Sequence, residues 1–160
     1  MKIVIVTTGG TIDKVYFDAK SEYHVGDSDV PRILEEAHAD IETEVVNLLA
    51  KDSLDLTDED RALIRRAVEA LPDRHVLITH GTDTMAETAR VLTGIPGKVI
   101  VLTGALSPAR FRLTDAPFNV GMAIAALQTS PDGVWVTMNG RVFRGDRVRK
   151  NRAANRFEET

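Results

Sequence analysis

Lys2-Ile3-Val4-Ile5-Val6-Thr7-Thr8-Gly9-Gly10-Thr11-Ile12 opens the chain and decides how the rest is read. The four consecutive aliphatic residues, bounded by a glycine pair, predict a short strand buried on both faces, as at the centre of a parallel sheet. Gly9 and Gly10 let the backbone take positive φ and admit a ligand without a Cβ in the way. Thr11 is therefore expected in the crevice at the strand's carboxyl end, where ligands bind in open α/β sheets.

Working outward, the same punctuation returns. His75-Val76-Leu77-Ile78-Thr79 is a second buried run and leads into His80-Gly81-Thr82-Asp83-Thr84-Met85. Lys98-Val99-Ile100-Val101-Leu102-Thr103 is a third and leads into Gly104-Ala105-Leu106-Ser107-Pro108. Glu44 to Leu49 and Val134 to Met138 supply further strands. Between them lie helices. One runs from about Val30 to Ala39, with Asp29 as its cap and Pro31 in its first turn. Another is capped by Thr57, carries Asp58, Glu59 and Asp60 in its first turn, repeats Leu63, Ile64, Ala67, Val68 and Leu71 at helical spacing, and is closed by Pro72. A third carries Ala86, Ala89, Arg90 and Leu92 and ends near Gly94; a fourth covers about Asn119 to Gln128. Strand and helix alternate throughout, so the expected fold is α/β, a single domain built on a doubly wound, mainly parallel sheet of Rossmann-like or flavodoxin-like three-layer form. Asp13 to Asp27 reads as a long polar connection and a mobile cover over Thr11. The tail from Arg141 to Arg156 reads as a hairpin or extended piece.

Composition narrows the function. At 160 residues the chain suits one domain. A charged fraction of 28% and a net charge of -4 match an ordinary soluble protein and offer nothing to a polyanion. The arginines of the tail, from Arg141 to Arg156, have few aromatics among them and read as a solvated or subunit-contacting face, so no nucleic-acid partner is expected. The chain has no cysteine, which excludes disulfides, thiolate catalysis and cysteine-ligated metals. His80 reads as a structural hydrogen-bonding residue, and His24, His38 and His75 share no ligand spacing with it; no metal and no cofactor is expected. No apolar run approaches membrane-spanning length, and Met1-Lys2 leads straight into the first strand, so a cytoplasmic location and no membrane partner are the expectation.

If the strands are parallel, the three glycine loops share one edge of the sheet. Two threonine hydroxyls, on Thr11 and Thr82, and the carboxylate of Asp83 then converge on one crevice. A threonine hydroxyl must be activated by a neighbouring base before it attacks, and the resulting oxyanion needs preorganised donors, which glycine-flanked amides supply. Asp83 could hold a substrate ammonium or orient a lysine.

These residues resemble the two signatures of the bacterial-type L-asparaginase/glutaminase family, Thr8-Gly9-Gly10-Thr11-Ile12 and His80-Gly81-Thr82-Asp83-Thr84-Met85. Tyr23-His24-Val25-Gly26, Gly104-Ala105, Asp115-Ala116-Pro117-Phe118-Asn119 and Val148-Arg149-Lys150-Asn151 follow in the order that the family has them. The resemblance implies that Thr11 is the acylated nucleophile, that Tyr23 assists it, and that Thr82 and Asp83 supply the second hydroxyl and the ammonium site. It implies Lys150 as the partner lysine and Ala105 as the residue whose carbonyl meets the substrate amide, with Gly10 and Gly81 lining the substrate site.

There are departures. Where the family has a Ser-Gln pair for the substrate α-carboxylate, this chain has Ala50-Lys51; Lys51 is the expected replacement, with Asp52 and Ser53 beside it. The chain ends at Thr160, roughly where the family's interdomain linker would begin. The expectation is an asparaginase N-terminal-type catalytic domain over residues 1–160, without the smaller C-terminal domain and the glutamate that it lends to a neighbour's lid tyrosine. Lys14 and Tyr16 then become rivals of Lys150 and Tyr23 for the roles of base and assistant. The implied activity is hydrolysis of L-asparagine to L-aspartate and ammonia through a threonine acyl-enzyme, with a homo-oligomer, dimer or tetramer, as the working form. The second reading is a non-catalytic asparagine- or aspartate-binding module. Asparagine and glutamine differ by one methylene, worth only about 1–3 kcal/mol of discrimination.

Overall fold

The computed structural model describes residues 1–160. Lys2–Thr7 forms β1, followed by a tight 3₁₀ turn at Thr11–Asp13 and a ribbon of β2 (Lys14–Phe17) and β3 (Glu22–Val25). Then come α1 (Val30–Glu36), β4 (Glu42–Asn47), α2 (Asp58–Ala70), β5 (His75–Thr79), α3 (Met85–Leu92), β6 (Val99–Thr103), α4 (Ala116–Thr129) and β7 (Gly133–Met138). β8 (Arg141–Arg144), β9 (Val148–Asn151) and β10 (Arg156–Glu159) complete the chain.

The central sheet has six strands in the order β4-β1-β5-β6-β7-β8. The first five are mutually parallel, and β8 adds an antiparallel edge against β7. Side chains alternate across β1, so Val4 and Val6 face one helical layer while Ile3 and Ile5 face the other. The first layer is α2 and α3, through Ile64, Val68, Met85, Ala89 and Leu92. The second is α1 and α4, through Val30, Ile33, Val120, Ala123 and Leu127. This is the flavodoxin-like three-layer arrangement, with strand order reversing between β1 and β5. Such a reversal opens a crevice at the carboxyl ends of the two strands. No helix is long and apolar enough to cross a membrane.

Some local expectations are corrected. The polar connection Asp13 to Asp27 is an antiparallel ribbon in which Tyr16 faces Tyr23 and Lys14 faces Val25. Its turn is closed by Ser21 in the left-handed region, at φ 50. Asp29 stands at the N-cap of α1 as expected, but its backbone is helical and its side chain makes no capping bond; its carboxylate pairs with Arg32 and Arg110 instead. The tail contains two hairpins, one joining the main sheet through β8 and one formed by β9 and β10. α2 begins as its sequence predicts: the Thr57 hydroxyl accepts from the Asp60 amide at 3.2 Å, and the Asp60 carboxylate accepts from the Thr57 amide at 2.9 Å.

Candidate active site

Hydrogen bonds at the strand ends hold the three glycine loops together. The Thr8 hydroxyl donates to the Thr79 carbonyl at 2.8 Å, the His80 amide to the Thr103 carbonyl at 3.0 Å, and the Thr103 hydroxyl to the Thr137 carbonyl at 2.8 Å. The Lys51 amide donates to the Thr8 carbonyl at 3.1 Å, which brings the segment after β4 to the same edge.

Gly10 has φ 97, and a Cβ placed on it would stand 2.6 Å from the Gly81 Cα. The two backbones are thus in contact, and Thr11 and Thr82 are the residues that leave that contact. Beneath it lies Ser53, whose side chain a Cβ on Gly81 would strike at 2.6 Å. Gly10→Ala is expected to cost about 2–5 kcal/mol of stability in denaturant unfolding, combining a left-handed alanine with overpacking against backbone. Gly94→Ala is the comparison. Its φ is also positive, at 88, but nothing lies within 4 Å of the added carbon, so only the conformational part of about 1–2 kcal/mol is expected.

On the Thr82 side, β9 delivers Lys150 into the crevice. Its Nζ donates to the Thr82 hydroxyl at 2.6 Å and to Asp83 Oδ1 at 2.8 Å, and its side chain is only 8% exposed. Arg90 of α3 donates to the Val148 carbonyl at 2.6 Å and fixes the strand that carries this lysine. Arg152 approaches the same carboxylate at 3.9 Å. A hydroxyl, an ammonium and a carboxylate are joined in one chain, an arrangement through which a proton can pass.

On the Thr11 side, an open cavity of about 250 Å³ is lined by Thr11, Lys14, Tyr23, Pro108 and Phe111. Tyr23 stacks between Tyr16 and Phe111, with ring centroids 5.2 Å and 6.0 Å away. Tyr23 and Lys14 line the cavity; Tyr16 packs behind Tyr23. Lys14 Nζ lies 3.2 Å from Asp52 Oδ2. The Leu54 amide, and then Lys14, hold the Asp52 carboxyl below its ordinary value. Lys51 is engaged elsewhere: its Nζ donates to both oxygens of Asp60, at 3.0 Å and 2.8 Å. A cavity of about 290 Å³ at the opposite edge of the sheet, among Thr93, Gly97, Asp132 and Arg144, contains none of the glycine-loop residues.

Ala105 is buried, and its loop is clamped from below. The Asp115 carboxylate accepts from the Leu106 and Ser107 amides at 2.9 Å and 3.0 Å, and Asn119 donates to the Gly104 carbonyl at 3.0 Å. His80 lies wholly inside, between the Gly81 carbonyl at 2.7 Å and the Thr88 hydroxyl at 2.8 Å. Burial pushes its ring down to about 4, so it stays neutral at physiological pH.

Two parts of the site escape sequence reasoning. Pro108 and Phe111 form a wall of the cavity, yet nothing in a polar loop marks which residues turn inward. Asp13, in the stretch expected to be a mobile cover, is buried; the only signal is its position two residues after Thr11.

The comparisons with known proteins agree with one another. The family model "Asparaginase, N-terminal" matches residues 2–158. An L-asparaginase of Thermococcus kodakarensis is 33% identical over 159 residues, covering 94% of this chain and 48% of that protein. L-asparaginase 2 of Escherichia coli (strain K12) is 36% identical over 163 residues, covering 92% of this chain and 46% of that protein. The solved structure of the thermostable L-asparaginase from Thermococcus kodakarensis superposes with a TM-score of 0.88 at 29% identity, over 99% of this chain and 51% of that one. The chain spans about half the length of the curated relatives it matches.

Proposed function

Because the chain belongs to the asparaginase family, we propose that it is an amidohydrolase that converts L-asparagine to L-aspartate and ammonia. In this reading the Thr11 oxygen adds to the side-chain amide carbon of the substrate. Its proton passes to a base and on to the departing nitrogen, the C–N bond breaks, and ammonia leaves behind a threonyl ester. Water then adds to the ester, the C–O bond to Thr11 breaks, and the proton returns to the threonine. One water is consumed and one ammonia released.

The positions of the side chains support the following roles. Thr11 is the nucleophile, with Tyr23 rather than Tyr16 beside it in the cavity. Lys150 moves the proton through the Thr82 hydroxyl, and Asp83 receives the substrate ammonium. The carbonyl of Ala105 meets the amide group. Lys14 supplies the cation for the α-carboxylate, since it lines the cavity and Lys51 does not; the substrate carboxylate then takes the place of Asp52, its present partner at 3.2 Å. A small amino-acid amide is the partner, and a homo-oligomer is the proposed working form.

One observation carries the reading: Gly10 and Gly81 touch, which sets the loop bearing Thr11 directly against the loop bearing Thr82 and Asp83, the two groups that Lys150 bridges from β9. The test is ammonia release from L-asparagine, L-glutamine and their D-isomers. Turnover of L-asparagine is expected. Calorimetric binding of asparagine or aspartate without any ammonia release would overturn the catalytic reading and leave a binding module.

A further inference from the structure

Two carboxylates are buried side by side next to the nucleophile turn: Asp13 is 1% exposed and Asp29 is 2%. Asp13 ends the 3₁₀ turn that begins at Thr11. Its amide donates to the Gly10 carbonyl at 3.3 Å, and its carbonyl accepts from the Gly26 amide, at the foot of the lid ribbon, at 2.8 Å. Its Oδ1 accepts from the Asp29 amide at 3.1 Å, and its Oδ2 from the Thr79 hydroxyl at 3.5 Å. Asp29 carries two arginines, Arg32 at 3.0 Å on one oxygen and Arg110 at 3.3 Å on the other. Arg32 also donates to the Ala109 carbonyl at 3.2 Å, while the Ala109 amide donates to the Ile12 carbonyl at 3.0 Å. One network therefore joins the Thr11 turn, the base of the lid, the start of α1 and the loop that carries Phe111. Three of those parts, the Thr11 turn, the lid and the Phe111 loop, bound the cavity.

The direct side-chain partners of Asp13 are an amide and a hydroxyl, both neutral. Burial, reinforced by the nearby charge of Asp29, pushes its carboxyl up to about 6 against the bonds from the Asp29 amide and Thr79. The sign follows: the folded protein binds this proton more tightly than the unfolded chain. Stability from this group is greatest below the ordinary carboxylate range, declines as pH rises, and is lowest above about 6. At neutral pH the acid costs stability where an amide of the same shape would not. A buried acid whose direct partners are neutral, set against the Thr11 turn, is a candidate for a functional role.

We propose that Asp13 is a positioning residue of the reaction: its ionised carboxylate pins the Thr11 turn to the start of α1 and to the Phe111 loop, and activity follows its charge. The kinetic half of this rests on the amidohydrolase reading; the structural half does not. The charged groups facing Asp13 are Asp29 and Arg32 from the start of α1 and Arg110 from the loop after β6. β5 offers only the Thr79 hydroxyl, and the neighbouring Lys14 turns its ammonium to Asp52.

The experiment compares wild type with Asp13→Asn and Asp29→Asn. The asparagine side chain can keep the bond from the Asp29 amide to its oxygen and make the Thr79 contact with the direction reversed, its NH2 donating to the Thr79 hydroxyl oxygen, while removing the charge. Asp13→Asn is expected to lower kcat by about ten- to a hundredfold with KM nearly unchanged, the scale of a small misplacement of the nucleophile. The wild-type pH profile rises along a limb near 6 that the Asp13→Asn variant lacks. Asp29→Asn removes a like charge and moves the limb to lower pH. Independently of turnover, the Asp29 amide exchanges its hydrogen against a charged acceptor only above that limb. Its protection, corrected for intrinsic rates, is expected to rise about fivefold from pH 5 to pH 8 in wild type and to stay flat in Asp13→Asn. The Asp13→Asn variant also melts on the order of 5 °C higher at pH 8, a gap that closes towards pH 4. An unchanged limb in Asp13→Asn, or pH-independent protection of the Asp29 amide in wild type, overturns the proposal. Should wild type release no ammonia from any amide, the catalytic reading fails while the exchange experiment still decides the role of Asp13.

Discussion

Thr11→Ala is expected to remove ammonia release from L-asparagine almost entirely, with kcat falling by on the order of 10⁴-fold. The reason is chemical: no other hydroxyl lines the cavity except the phenol of Tyr23, and a methyl group cannot form the ester that divides the reaction in two. The fold should be untouched, because Thr11 is only half-buried and stands at the cavity rim. Two measurements separate loss of chemistry from loss of binding. Calorimetry should still detect aspartate binding to the variant. Rapid acid quenching of wild type with asparagine, followed by mass analysis, should find the aspartyl adduct on Thr11, and none on the alanine variant. Ammonia release at the wild-type rate in Thr11→Ala would remove the nucleophile from the proposal.

Lys150→Met is expected to lower kcat by about 10³-fold, the range associated with a positioned acid or base. Methionine fills the space of the stem but leaves the Thr82 hydroxyl without its 2.6 Å partner and Asp83 with only Arg152 at 3.9 Å. Lys150→Arg should not restore the rate, since guanidinium holds its proton too firmly and presents it in a planar fork. Thr82→Val should cause a comparable fall. Combining it with Lys150→Met should add little, because the two side chains act as one unit. Steady-state ammonia assays on the four proteins check this. Additive losses in the double variant would mean that the hydroxyl and the ammonium serve separate steps.

Much of this molecule is legible in its residues. Four of the five parallel strands, β1, β5, β6 and β7, are written as short aliphatic runs because both faces of a central strand are covered, whereas β4 at the sheet edge is half polar and largely exposed; β1, β5 and β6 each end in the threonine that marks the crevice edge. The constellation around Thr82 follows from those endings. The lid was harder to read. Both faces of a two-stranded ribbon meet water in part, so β2 and β3 carry no clean alternation and pass for a loop. Asp13 reads from sequence as the start of a mobile cover and Asp29 as a helix cap, because an acid's burial depends on residues far along the chain, here Thr79 and Arg110. Lys51 illustrates the same point in reverse. Its charge is needed at Asp60, whose carboxylate already caps α2, and no local pattern announces that second use.

The contact between Gly10 and Gly81 has a consequence for how the protein comes into being. The neighbouring bond from Thr8 to Thr79 spans 71 residues, so the reactive groups meet only after β1 has found β5 side by side in the finished sheet. No hairpin or isolated βα unit contains both halves, and closing so long a loop is slow relative to local structure. In the proposed mechanism, then, the Thr11 hydroxyl gains its Lys150-Thr82 relay only once β1, β5 and β9 are all in place.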